Sequence, residues 1–188
     1  MKKTLILVLC LVLAGGIFAG YSLTAGSSPA VATEESATPA PAEATPLAVP
    51  ADYDPDFRFE TEDVYGDAWN EAAFAQAKLT MINFWEPWCG PCVNEMAGLQ
   101  KLYEDYQEQG FQILGVYSDF SYEQEMWQVL AQTRVLYPTL KYVSAFDQFQ
   151  TGYVPTTIFV DGDGHVLGEP YIGSRSNADW ARIVEGLL

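Results

Sequence analysis

Residues Leu79-Thr-Met-Ile-Asn-Phe-Trp85 form an unbroken, partly β-branched and aromatic run that leads into Trp88-Cys-Gly-Pro-Cys92. Such a run suits a strand buried on both faces of a sheet. Pro91 then stands where a first helical turn tolerates proline. Beyond it Val93, Met96, Leu99, Leu102, Tyr103 and Tyr106 recur at helical spacing until Gly110. The theme repeats: Phe111–Tyr117 reads as a strand, and Ser121 with Gln124 offers a capping box for a helix running to about Val135. Strand, helix, strand, helix requires a parallel core with helices packed on the sheet. After Tyr153-Val-Pro155 the pattern changes. Thr156–Val160 and Val166–Ile172 flank Asp161-Gly-Asp-Gly164, a turn sequence suited to a hairpin, and Ser176 with Asp179 opens a last helix through Leu187. The order is therefore βαβα and then ββα, with no internal repeat.

The N-terminal part cannot belong to this unit. Lys2 and Lys3 precede an uncharged stretch from Thr4 to Ala19, and the next charge is Glu34. Lysines before an apolar stretch hold the N-terminus in the cytoplasm and direct the downstream chain across the membrane. Residues 1–25 are read as an export element. At ~1.5 Å per residue Leu5–Ala25 reaches ~30 Å, which favours an uncleaved anchor, whereas Ala19 and Ala25 also suit a peptidase, so a cleaved signal peptide stays open. Cys10 comes after Leu9 rather than a small residue, so it is read as an apolar member of this segment and not as a lipid attachment site. Residues 26–51 carry five of the eleven prolines, no aromatic residue, and otherwise mainly Ala, Ser, Thr and Glu, the composition of a flexible tether. The folded domain is thus 52–188. It holds all five tryptophans, and seven of the nine basic with 22 of the 25 acidic residues, a net charge of −15. A surface this acidic repels phosphate backbones, and nucleic acid is excluded as a partner.

Chemistry concentrates at Cys89 and Cys92. A cysteine between a buried strand and a first helical turn faces unpaired backbone N–H groups and the positive end of the helix dipole. Both favour the thiolate, the attacking species. The two-residue spacing lets Cys92 close a small ring with Cys89, so the pair can exchange electrons with another protein's cysteines through a mixed disulfide. A zinc site fails on donor count, because the domain offers only these two cysteines and His165. A purely structural disulfide stays as the alternative, although it does not call for Gly-Pro between the cysteines. Glu95 lies one helical turn beyond Cys92. Either its carboxylate enters the cysteine pocket, where burial would raise its pKa into a range useful for proton transfer, or it is a solvated charge on an exposed face. Trp85 and Trp88 are expected to wall the site. Glu86 fits a solvated charge as well as a tuning group, and His165 is read as an exposed hairpin residue.

Trp88-Cys-Gly-Pro-Cys92 matches the active-site motif of thioredoxins residue for residue. About residues 55–188 resemble the exported, membrane-tethered TlpA/ResA-like branch of the thioredoxin superfamily. The resemblance runs through Phe57-Arg-Phe59, Asn83-Phe-Trp85, Glu95, Gly115-Val-Tyr-Ser-Asp119, Tyr137-Pro138, Gly152-Tyr-Val-Pro-Thr-Thr157 and Asp161-Gly-Asp-Gly164. It implies a thioredoxin-like α/β fold, with a central mixed β-sheet flanked by helices, and a cis peptide bond before Pro155 that sets this residue against the cysteines. Two departures stand out. Asn83 occupies the place where many thioredoxins bury an aspartate, and Ala97 stands where related exported proteins often have proline.

These readings converge on an extracytoplasmic thiol-disulfide oxidoreductase that reduces disulfides in exported proteins. Cys89 attacks, Cys92 resolves, Glu95 handles a proton and Pro155 positions the substrate, with Trp88, Gly90, Pro91 and Val154 facing it. No dissociable cofactor or metal is required beyond the Cys89–Cys92 disulfide. The resemblance implies a CcdA/DsbD-like membrane thiol donor and a role in cytochrome c maturation. The alternatives are a disulfide oxidase or isomerase using the same motif, a copper metallochaperone, and a thiol peroxidase. The last two are disfavoured by the close cysteine spacing and by the lack of a single peroxidatic cysteine with an activating arginine.

Overall fold

In the computed structural model, residues 57–188 are described; the expected export element, its cleavage site, Cys10 and the tether lie outside the described residues. In chain order the elements are β1 (Glu60–Glu62), β2 (Ala68–Asn70), β3 (Leu79–Phe84), α1 (Gly90–Tyr106), β4 (Phe111–Tyr117), α2 (Glu123–Thr133), β5 (Thr139–Lys141), β6 (Thr156–Asp161), β7 (Tyr171–Ile172) and α3 (Asn177–Leu187), with short 3-10 turns between them. No helix among the described residues is long and apolar enough to cross a membrane.

Five strands form one sheet in the order β5-β4-β3-β6-β7, while β1 and β2 make a separate antiparallel pair. β3 lies at the centre, parallel to β4 and antiparallel to β6, and every residue of it is buried, as its unbroken apolar run predicts. Side chains alternate along it between the two faces. Ile82 and Phe84 enter a core with Phe57, Phe59, Phe74, Phe146 and Phe149. Leu79 and Met81 face the opposite side, where they meet Leu99 and Leu102 of α1 and Trp180 and Val184 of α3. Each such fully buried side chain contributes about 1.5–3 kcal/mol relative to exposure. Asn83 shares the face of Leu79 and Met81, so the sheet aims a polar group at the α1–α3 layer close to the cysteine loop.

The expected α1 and α3 both form. Gly110, with φ at 99°, ends the turn after α1 in the left-handed region that glycine tolerates, and Ser176 accepts the Asp179 N–H at 3.2 Å as the N-cap of α3. Elsewhere the structure departs from the sequence reading. The Ser121–Gln124 capping box does not form, because Phe120–Tyr122 make a 3-10 turn and Tyr122, not Ser121, stands at the N-cap of α2; Ser121 Oγ donates to Asp119 Oδ1 at 2.5 Å. α2 ends at Thr133, since Arg134 turns into the left-handed region with φ at 55°. Val166–Ile172 is not one strand. Only a bridge at Val166 and the short β7 pair with β6, because Gly168 takes a positive φ and Pro170 cannot donate to a ladder. β1, β2 and β5, each three residues long, have no counterpart in the sequence pattern.

Candidate active site

β3 runs straight into the cysteine loop, and the loop folds back on the N-terminus of α1. Cys89 is the N-cap residue of that helix, and its sulfur accepts the backbone N–H of Cys92 at 3.2 Å. The expected N-terminal placement is therefore realised, with a helix amide aimed at the sulfur. Cys89 and Cys92 are joined by a disulfide with 5.3 Å between their Cα atoms. Cys92 is 1% exposed and Cys89 6% exposed, so both are buried and Cys89 is the less covered of the two. Gly90 and Pro91 are both exposed at the helix start, and a Cβ built on Gly90 meets nothing within 4 Å.

On the other side of the disulfide, the peptide bond between Val154 and Pro155 is cis, as the resemblance implied. Cys89 Sγ lies 3.5 Å from the Val154 carbonyl oxygen. Pro155 is buried and Val154 half-buried, in a segment that precedes the first ladder pair of β6.

Glu95 is not a solvated charge. It is 7% exposed, and its carboxylate accepts from the Arg175 backbone N–H at 3.1 Å, from Trp180 Nε1 at 3.3 Å and from Asn83 Nδ2 at 3.4 Å. Burial pushes its pKa above the ordinary carboxylate value, against the lowering effect of these donors and of the Arg175 charge. Asn83 also donates to Thr157 Oγ1 at 3.0 Å, which binds the Glu95 region to the strand that comes after Pro155. Tyr137 is buried, and burial together with the Glu95 charge pushes its phenol well upward.

Glu86 is not a solvated charge. It is buried and accepts from the Ser118 backbone N–H at 2.9 Å, from the Ser118 hydroxyl, and from the Asp119 N–H at 3.1 Å, pinning the loop after β4 to the cysteine loop. Trp85 is fully buried against Tyr117, whereas Trp88 is exposed and donates from Nε1 to Asp119 Oδ2 at 3.2 Å. His165 is an exposed hairpin residue as expected, paired with Asp161 at 3.3 Å. It sits at the end of β6 away from Pro155, ~17 Å along a six-residue strand, too far to share a ligand with the cysteines. Asp161 Oδ1 accepts the N–H groups of Asp163 and His165, so these side chains close the turn. Sequence reasoning missed Arg175 and Trp180 as partners of Glu95, because no local spacing relates residues 80 and 85 positions apart.

The family model described as AhpC/TSA family matches residues 51–168, more than half of the sequence. The chain belongs to this family. Among curated relatives of this AhpC/TSA-family chain, the thiol-disulfide oxidoreductase ResA of Oceanobacillus iheyensis is 33% identical over 93 residues, covering 48% of each chain. ResA of Bacillus cereus is 30% identical over 108 residues, covering 54% of this chain and 58% of the relative. The chain thus matches about half the length of these relatives. Among solved structures, a thiol:disulfide interchange protein of the thioredoxin family from Chlorobium tepidum superposes with a TM-score of 0.62 at 25% identity, covering 78% of this chain and 99% of that one. A putative thioredoxin from Neisseria meningitidis gives 0.60 at 25% identity, over 69% of this chain and 87% of that one. The fold is thioredoxin-like and the resemblance to ResA-type proteins holds.

Proposed function

We propose that the chain is a thiol-disulfide oxidoreductase that works as a reductase on the extracytoplasmic side of a membrane. The observation that carries this reading is the Cys89–Cys92 disulfide, in which Cys89, the less covered of two buried cysteines, stands at a helix N-terminus with a backbone amide on its sulfur. In the reduced protein the Cys89 thiolate attacks one sulfur of a client disulfide, a mixed disulfide forms, and one client thiolate leaves. Cys92 then attacks the Cys89 sulfur, releasing the second client thiol and closing the Cys89–Cys92 bond; two electrons and two protons pass to the client. Glu95, buried beside the pair on the same helix, exchanges a proton with Cys92 during resolution. The Val154–Pro155 edge, with Trp88, Gly90 and Pro91 opposite, receives the client backbone in extended form.

No dissociable cofactor enters these steps. The clients are disulfide-bearing exported proteins, with cytochrome c maturation the role that the likeness to ResA supports, and a CcdA/DsbD-like membrane thiol carrier resupplies electrons. The N-terminal segment anchors the domain or directs its export, and tethering would raise its effective concentration at donor and client. A redox titration of the cysteine pair against glutathione tests the direction. A potential near that of thioredoxin is expected, and a much more oxidising value replaces the reductase by an oxidase. Cys92→Ser should accumulate mixed disulfides with exported proteins; none forming would remove the reading.

A further inference from the structure

Three large aromatic side chains remain in solvent on the loops beside the disulfide. Trp88, adjoining Cys89, is 56% exposed; Phe120 is 51% and Tyr122 39% exposed. They are not loose. Trp88 is fixed by its bond to Asp119 Oδ2, Phe120 packs edge-on against Tyr117 at 5.3 Å, and the loop that carries Asp119 is pinned by the buried Glu86. The indole is thus held with its N–H spent on a carboxylate and more than half its surface in solvent. The hydroxyl of Ser121 and the indole of Trp88 hold the Asp119 carboxyl below the usual carboxylate range. Glu123, the residue after Tyr122 and the first of α2, adds a further negative charge next to this loop. No lysine or arginine among the described residues pairs with Asp119 or Glu123, although four of them pair with acids elsewhere.

A rigid aromatic face beside an unpaired carboxylate is the combination that attracts a cation carried on an apolar stem: ring and carboxylate attract the charge, and the rings cover the methylenes. We infer that the rim formed by Trp88, Asp119, Phe120, Tyr122 and Glu123 binds a lysine or arginine side chain that flanks the cysteine of an extended client segment. The inference rests on the oxidoreductase reading above and adds a substrate class to it: client disulfides in a basic local sequence are preferred over those in an acidic one.

The test uses the full chain, reduced, and three synthetic disulfide peptides that differ only in the residues beside the cystine: lysine, alanine or glutamate. Because a net charge of −16 attracts any cation, a control removes one charge far from the site. Glu108→Gln serves, at the opposite end of α1, ~25 Å from Cys89. The lysine peptide should be reduced about three- to tenfold faster than the glutamate peptide, a ratio that shrinks toward unity in ~1 M salt. Asp119→Asn, which keeps an acceptor for Trp88, should cut the ratio, and Glu108→Gln should not. Equal rates for the three peptides would overturn the cationic rim and leave the oxidoreductase reading standing, as would a ratio that Asp119→Asn and Glu108→Gln change alike. Failure to reduce even the alanine peptide would overturn both.

Discussion

Asn83 Nδ2 lies 3.0 Å from Thr157 Oγ1 across the β3–β6 ladder, and the same amide group reaches Glu95 Oε1 at 3.4 Å. One side chain thereby links the strand that carries the cysteine loop, the helix that the loop opens, and the strand that comes after Pro155. The elements around the cysteine pair are thus joined by a buried polar cluster, and buried polar clusters are costly to break.

The sulfur of Cys89 provides the most direct prediction. With a helix amide directed at it, the thiol of the reduced protein should ionise below the ~8.5 of a free cysteine. Alkylation rates measured against pH should show Cys89 reacting first with a lowered apparent pKa and Cys92 protected. A Cys89 that titrates like a free thiol would remove the electrostatic basis of the mechanism.

Glu95 makes stability depend on pH in a defined direction. Its pKa is raised in the fold, so the folded state holds the proton more tightly than the unfolded chain. The associated stability is present below the ordinary carboxylate pKa and is lost as pH rises through the raised folded value. Denaturant melts of wild type and Glu95→Gln should therefore show the wild type losing ground to the variant across that window, then a constant difference above it. The variant should also resolve mixed disulfides more slowly at neutral pH.

Glu86 should behave as a strut. Glu86→Ala leaves the backbone N–H groups of Ser118 and Asp119 without their acceptor and should cost about 1–3 kcal/mol in chemical denaturation. Peptide reduction should fall too, because Trp88 loses a fixed partner. Unchanged stability would mean that water replaces the carboxylate without loss.

Gly115 is a steric prediction. A Cβ there would stand 3.3 Å from Trp85 Nε1, 3.4 Å from Tyr137 and 3.6 Å from the Pro138 carbonyl oxygen. Trp85 and Tyr137 are both buried, so neither can swing into solvent. Gly115→Ala should lower stability by about 1–3 kcal/mol, measured by thermal or denaturant unfolding.

The legible parts of this protein in its sequence are those where one physical signal dominates. β3 is readable because six consecutive buried positions leave no room for alternation, and α1 because its apolar stripe begins at a proline and stops at a glycine. Cys89 and Cys92 are readable because the spacing itself bears the chemistry. β5 is not, because three residues give no period and its pairing with β4 is set by tertiary packing. The Ser121 cap fails because Ser121 lies inside the Phe120–Tyr122 3-10 turn, which leaves Tyr122 as the residue that precedes α2. Glu95 is half legible. Helical spacing places it one turn from Cys92, but whether it is wet or dry is decided by Arg175 and Trp180, far along the chain.

That last contact ties the tail of the polypeptide to the chemistry at its front. A protein shortened before Arg175 would still carry both cysteines and the central strands, yet Glu95 would forfeit two of its three donors and the indole roof above it. Deletions that remove the closing helix therefore reach the acid one helical turn beyond Cys92.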